Sequence, residues 1–288
     1  MRRSVWNNFH ELKGRTCAIA TMHGKETIIG PLIEKHWGVN WIVPFKMNTD
    51  IYGTFDGLVK RKVSPIEAAR AKCEKAIEMT GCDLAISNEG SFGSHPYIPF
   101  TCADVEIIMM VDKKRHLELT ELEISTKTNF NYLDVSNWNE LEKFAIKTGF
   151  PSHKIILRDK EGSFKCISKD IATFKDLYFN FLKIKREFNS VFAETDMRAM
   201  NNPMRKYVIK RACRKLIKTV ARKCPQCGTG GFKNDRFLDG LMCRICNNPT
   251  SQIAYRIFKC PTCQFEQKYP FKYGIQWADP MYCDYCNP

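Results

Sequence analysis

The chain has 288 residues, enough for one large or two domains, and 44% of them are hydrophobic and 12% aromatic, ample for a packed core. Its formal charge of +14 favours polyanion partners such as nucleic acid, nucleotides or phosphates, against the bland alternative of a solvated basic surface. No apolar run is long enough to span a bilayer, so no membrane role is expected. Met1-Arg2-Arg3-Ser4 lacks the apolar stretch of a secretory signal, and CxxC thiols suit a reducing, cytoplasmic setting.

In chain order, Thr16 to Thr21 reads as a buried strand and Lys25 to Trp37 as a helix ending at Gly38. Val39 to Val43 reads as a second strand, closed by Pro44. Ser64-Pro65-Ile66-Glu67 starts a helix, with Ser as N-cap, Pro in the first turn and Glu at the third position, and that helix runs to Thr80 and stops at Gly81. Asp83 to Ser87, Val105 to Val111 and the alternating Arg115 to Ile124 read as strands. Asn137 to Thr148 and Ile171 to Glu187 read as helices, with a strand at Ile155 to Arg158 between them. Strands alternating with helices predict an α/β domain over residues 1–200, with a mostly parallel or mixed sheet and flanking helices. Residues 201–223 form a basic helical linker, and residues 224–288 a double zinc-ribbon module.

Three polar loops follow predicted strands. His23 and Lys25 lie just ahead of a helix, where a lysine and backbone N–H groups suit an anion; the plainer reading is a helix cap. Asp50, in Asn48 to Phe55, suits a divalent metal or a turn cap. Asn88 to Pro96 gathers Glu89, Ser91, His95 and two glycines, an unusual density of reactive groups for a connecting loop. Such loops emerge at the carboxyl edge of a parallel sheet, so Lys25, Asp50, Glu89 and His95 are expected in one pocket. Glu194, Asp196, Arg198 and Arg205 form a fourth cluster, read as a salt-bridged hinge in preference to a metal site, with Arg198 also a candidate substrate contact. From Arg205 to Lys223, nine Lys and Arg residues flank an apolar stripe. That is either a solvated helix face or a phosphate-backbone contact.

The strongest signal is four CxxC pairs: Cys224 with Cys227, Cys243 with Cys246, Cys260 with Cys263, and Cys283 with Cys286. Two such turns close a four-thiolate site, so two structural zinc ions are expected. They would bring the formal charge of +14 to +10. Short loops cost less closure entropy, which favours sequential pairing: Cys224, Cys227, Cys243 and Cys246 on one ion, and Cys260, Cys263, Cys283 and Cys286 on the other.

Ala20 to Glu26 (ATMHGKE), Asp50 to Phe55, Glu89 to Pro96 (EGSFGSHP), Glu194 to Arg205 and the ribbon at Cys224 to Gly228 resemble a bacterial family of unknown function. More distantly, the order of these loops and helices is similar to the inosine-triphosphatase and Maf-like superfamily. That resemblance implies hydrolysis of non-standard nucleoside triphosphates with Mg²⁺. It places Lys25 and Lys72 on the phosphates and Glu89 in the acidic loop, although Asn88-Glu89 stands where many members carry paired aspartates. The expected function is a metal-dependent hydrolase of a nucleotide or related phosphate, with Glu89, Asp50 and His95 as catalytic candidates. Lys25, His23, Lys72, Ser91 and Arg198 are the substrate-binding candidates. The alternative is a non-enzymatic nucleic-acid-binding protein using the basic helix and ribbons.

Overall fold

The computed structural model describes residues 9–49, 63–272 and 274–288. Asp50 and the Gly53-Thr54-Phe55 segment therefore lie outside the described residues. The chain divides into two compact units, one of Phe9–Ile217 and one containing Lys218–Pro288.

The first unit opens with β1 (Thr16–Ala20), α1 (Glu26–Trp37), β2 (Asn40–Ile42) and α2 (Pro65–Thr80), followed by β3 (Leu84–Ser94), β4 (Cys102–Asp112) and β5 (Leu117–Ser125). These strands form one sheet in the order β2-β1-β3-β4-β5. β1 pairs parallel with both β2 and β3, while β3, β4 and β5 pair antiparallel, so the sheet is mixed. The Ser64 hydroxyl accepts the Glu67 N–H and the Glu67 carboxylate accepts the Ser64 N–H at 2.8 Å, fixing the start of α2. α2 lays Ala69, Cys73 and Ala76 on Ala18, Ala85 and Met109. Small residues on both sides bring the helix close to the sheet.

A second sheet follows, from β6 (Tyr132–Val135), α3 (Trp138–Thr148), β7 (Ile155–Arg158), β8 (Ile167–Ser168), α4 (Phe174–Phe188) and β9 (Val191–Thr195). Its order is β6-β9-β7-β8, antiparallel throughout. Leu141 and Phe144 of α3 and Leu177, Phe181 and Ile184 of α4 pack with Ile155, Leu157, Val191 and Ala193. The basic helix α5 (Pro203–Ala221) closes this part of the chain. No helix among the described residues is long and apolar enough to cross a membrane.

The second unit holds β10 (Lys233–Asp239), β11 (Ile253–Lys259) and β12 (Glu266–Pro270), an antiparallel sheet in that order.

One expectation is corrected here. The segment Glu89 to Ser94 is not a loop: β3 runs on to Ser94, paired with β4 from Leu84↔Asp112 to Ser94↔Cys102. The hairpin partner carries the strand past the point where its parallel neighbour β1 stops at Ala20↔Ser87.

Candidate functional site

Beyond Ala20↔Ser87 no strand among the described residues continues alongside β3 on the β1 side. The ammonium of Lys25, at the entry to α1, fills that place by donating to the Asn88 carbonyl at 2.5 Å. On the α2 face of β3, Lys72 is ion-paired with Glu89. On the opposite face, register places Gly90 across from Glu106 and Phe92 across from Asp104. Glu106 accepts from Arg205 Nε of α5 at 2.6 Å and from Asn88 Nδ2 at 2.9 Å. Arg205 also donates to the Met197 carbonyl at 2.6 Å, and its guanidinium lies 5.1 Å from the Phe92 ring centroid. All six ionisable groups of this cluster (Lys25, Lys72, Glu89, Asp104, Glu106, Arg205) are buried.

The charges decide what the cluster can do. Lys72 and Arg205 are matched by Glu89 and Glu106. Burial, then the Glu106 carboxylate two residues along the strand, push Asp104 up to about 8, so it keeps its proton near neutrality. Lys25 is the surplus cation: burial, then repulsion from Arg205, draw it down to about 7. A base held below its usual value of 10.5 destabilises the fold in its charged form. That contribution is relieved as pH rises from about 7, because the unfolded chain then binds the extra proton. A Lys25→Met variant lacks this dependence. The stability of the wild type relative to Lys25→Met should rise with pH by about 1.4 kcal/mol per unit above pH 7 and be flat below it. Paired urea titrations from pH 6 to about 9 measure it, and parallel curves throughout would remove the claim that Lys25 is buried.

The structure thus brings Lys25, Lys72 and Glu89 together, and not His95. Six residues of extended strand separate His95 from Glu89, about 20 Å. Its Nδ1 accepts the N–H groups of Tyr97 and Ile98 at 3.0 and 2.9 Å, which shapes the hairpin turn. The His23 N–H donates to Thr21 Oγ1 at 3.4 Å in the first loop.

Ser91 and Arg198 line a separate cleft of about 340 Å³ walled by Phe92, Phe130, Tyr132 and Phe192. Arg198 is committed within it, reaching Asp196 at 2.6 Å and Asp170 at 2.7 Å. Glu194 accepts from Arg158 at 2.7 Å, and the Asn202 side chain accepts the Arg205 N–H at 3.0 Å ahead of Pro203, as an N-cap does. Much of the segment from Glu194 to Arg205 therefore fixes the start of α5 and the position of Arg205. Asp104 and Glu106 were missed from sequence. The available signal was two acids spaced by two in an otherwise apolar strand, Ala103-Asp-Val-Glu-Ile-Ile-Met-Met-Val111.

In the second unit the cysteines form two quartets, Cys224, Cys227, Cys260 and Cys263, and Cys243, Cys246, Cys283 and Cys286, each with sulfurs within 4.8 Å of one another. The sequential pairing is overturned. Three antiparallel strands reverse the chain between successive CxxC turns, so the first and third turns fall at one end of the sheet and the second and fourth at the other. Doubling a loop adds only about 0.6 kcal/mol of closure entropy, far less than a strand pairing returns. All four turns share one bond, from the N–H of the residue after the pair to the first cysteine's carbonyl: Gly228 to Cys224, Asn247 to Cys243, Gln264 to Cys260 and Asn287 to Cys283.

Contacts between sulfurs measure 3.7 and 3.6 Å in the first quartet and 3.9 and 3.4 Å in the second. A tetrahedral ion with bonds of about 2.3 Å to sulfur sets its ligands about 3.8 Å apart, whereas a disulfide needs about 2.05 Å. The donor sets fit metal ions. Backbone bonding by Asn248 draws Cys246 down to about 6, while Cys286, hydrogen-bonded to that sulfur, is pushed up to about 12. Full deprotonation of a quartet needs a cation at its centre.

These features define a mixed α/β protein carrying two C-terminal four-cysteine clusters whose geometry is suited to holding metal ions. The family model described as Domain of unknown function (DUF6671) matches residues 72–288, about three-quarters of the chain, and the chain belongs to that family. The matched part includes Lys72, Glu89, Asp104, Glu106, Arg205 and all eight CxxC cysteines; Lys25 and Asp50 precede it. A comparison with curated proteins gives no match.

Proposed function

We propose that the α/β unit binds a nucleotide or related phosphate compound and hydrolyses a phosphate bond in it, with Mg²⁺ as the accompanying ion. The observation that carries this reading is Lys25 beside Lys72 and Glu89 at the end of β1, a buried cation with no carboxylate of its own among the described residues. A phosphate oxygen would supply the missing negative charge. Glu89, ion-paired with Lys72, is the carboxylate that would meet Mg²⁺, whose chemistry is to polarise the phosphoryl group. The ions of the cysteine quartets are proposed to be zinc, in closed structural sites.

The test is a panel of nucleoside triphosphates with Mg²⁺, read by release of phosphate or pyrophosphate. Turnover should be lost in Glu89→Gln and Lys25→Met, with circular dichroism confirming that each variant is folded. Substrate affinity should weaken as pH rises above about 7, because anion binding favours the protonated amine of Lys25. No product from any member of the panel, or product that both variants release unchanged, overturns the reading.

A second, non-enzymatic reading is nucleic-acid binding. It is favoured by Lys210, Arg214 and Lys218, exposed along α5 at helical spacing with no carboxylate partner among the described residues. Arg211 and Lys215 do not contribute freely, since both pair with the buried Glu123 at 2.5 Å. Steep weakening with salt distinguishes this reading.

A further inference from the structure

We infer that a groove on the β10-β11-β12 sheet binds single-stranded nucleic acid, an inference that rests on the second reading above and gives it a site. The groove, about 550 Å³, is lined by Arg222, Lys223, Arg256, Phe258, Gln267 and Tyr269, among others, and none of its lining residues is acidic. Register builds it. Arg256 lies opposite Tyr269 and Phe258 opposite Gln267 on adjacent antiparallel strands, so all four side chains share one face.

Each part has a chemical counterpart in a single strand. The Phe258 and Tyr269 rings meet edge-on at 5.0 Å, both half-buried, and offer flat apolar surface for an unstacked base. The Arg222 guanidinium lies over the Phe258 ring, 5.0 Å from its centroid, and its own plane would stack on an incoming base. Arg256 has donors to spare. Its Nε is buried without a hydrogen-bond partner among the described residues, and its Nη2 reaches the Pro270 carbonyl only at 3.4 Å. Gln267 carries an amide able to read a base edge, already accepting from the Tyr269 hydroxyl at 2.8 Å. The adjoining metal quartet would carry a net charge of about −2, which three cations outweigh. A duplex hides its bases in the stack and would meet only the cations, so the aromatic floor favours a single strand.

The experiment is fluorescence anisotropy of the full-length, metal-loaded chain with a labelled oligothymidine of about 12 nucleotides and with a duplex of equal length, from about 50 to 200 mM salt. Single-strand binding should weaken with a log–log salt slope of about −2, as three phosphate contacts give. Arg256→Ala should make that slope shallower by about 0.7. Phe258→Leu should weaken binding about tenfold with the slope unchanged. Because Phe258 also packs against Phe232, metal content and Tm are checked in that variant, and the Arg256 arm stands without it. If binding responds to Lys210→Ala with Arg214→Ala but not to Arg256→Ala or Phe258→Leu, the groove is overturned and the helix reading survives. If the duplex binds as tightly and Phe258→Leu has no effect, the surface is a plain cation patch and the inference fails. No binding at the lowest salt overturns both.

Discussion

Arg205→Ala should lower the stability of the α/β unit by roughly 3–5 kcal/mol, because it strands the buried Glu106 carboxylate without its cation. The pair is fully enclosed, and the same guanidinium holds the Met197 carbonyl. The loss therefore combines an uncompensated charge with an orphaned acceptor. Exposed pairs such as Lys75 with Glu78 would lose far less. Replacing Arg205 and Glu106 together with methionine removes both charges and should recover at least half of the loss. Gly90→Ala tests the same geometry from the other side. An added Cβ would stand 2.6 Å from Arg205 Nη2 and 2.8 Å from Glu106 Oε1. Neither group can retreat from a buried pair, so about 1–3 kcal/mol should be lost. Urea denaturation of the four proteins gives the comparison. A single Arg205→Ala cost below about 1 kcal/mol would mean the pair is solvated rather than buried.

The legibility of the chain follows the reach of each signal. Local signals were readable: the Ser64 capping box and the stops at Gly38 and Gly81 all have their cause within four residues. The extent of β3 was not, because Glu89-Gly90-Ser91-Phe92-Gly93 has the composition of a loop and is held extended only by pairing with β4. Strands β6 and β9 were missed for a related reason: each is four or five residues long and is defined by the other. Of the candidate site, Lys25, Lys72 and Glu89 were named from sequence. Their partners Asp104, Glu106 and Arg205 lie 15 to 116 residues beyond Glu89 and are joined to it only by sheet register and the placement of α5. The basic helix shows the same limit. Its charge was visible, but the spending of Arg205, Arg211 and Lys215 on buried carboxylates of β4 and β5 was not.

The cysteine quartets offer the other large effect. Changing Cys224, Cys227, Cys260 and Cys263 to serine should leave a chain that binds one metal ion, because the remaining four cysteines are a complete quartet. Changing Cys224, Cys227, Cys243 and Cys246 should leave none bound tightly, because each quartet then keeps only two sulfurs. Sequential pairing gives the opposite assignment, one ion in the second variant and none in the first. Metal analysis of the two purified proteins therefore separates the topologies directly. The structural consequence should be severe in the second variant. The buried cluster at this end of the sheet is small, with Phe232 packed among Cys224, Cys260, Phe258, Phe265 and Tyr269. Structural zinc sites contribute on the order of 10 kcal/mol of apparent folding free energy, more than such a cluster supplies. Without metal the sheet of Lys233–Pro270 should unfold and become sensitive to protease, while the unit of Phe9–Ile217, which contains neither quartet, keeps its own transition. A four-serine variant of either kind that retains both ions, or a chelated chain whose C-terminal unit resists protease as the metal-loaded chain does, would remove the metal-dependent account of this fold.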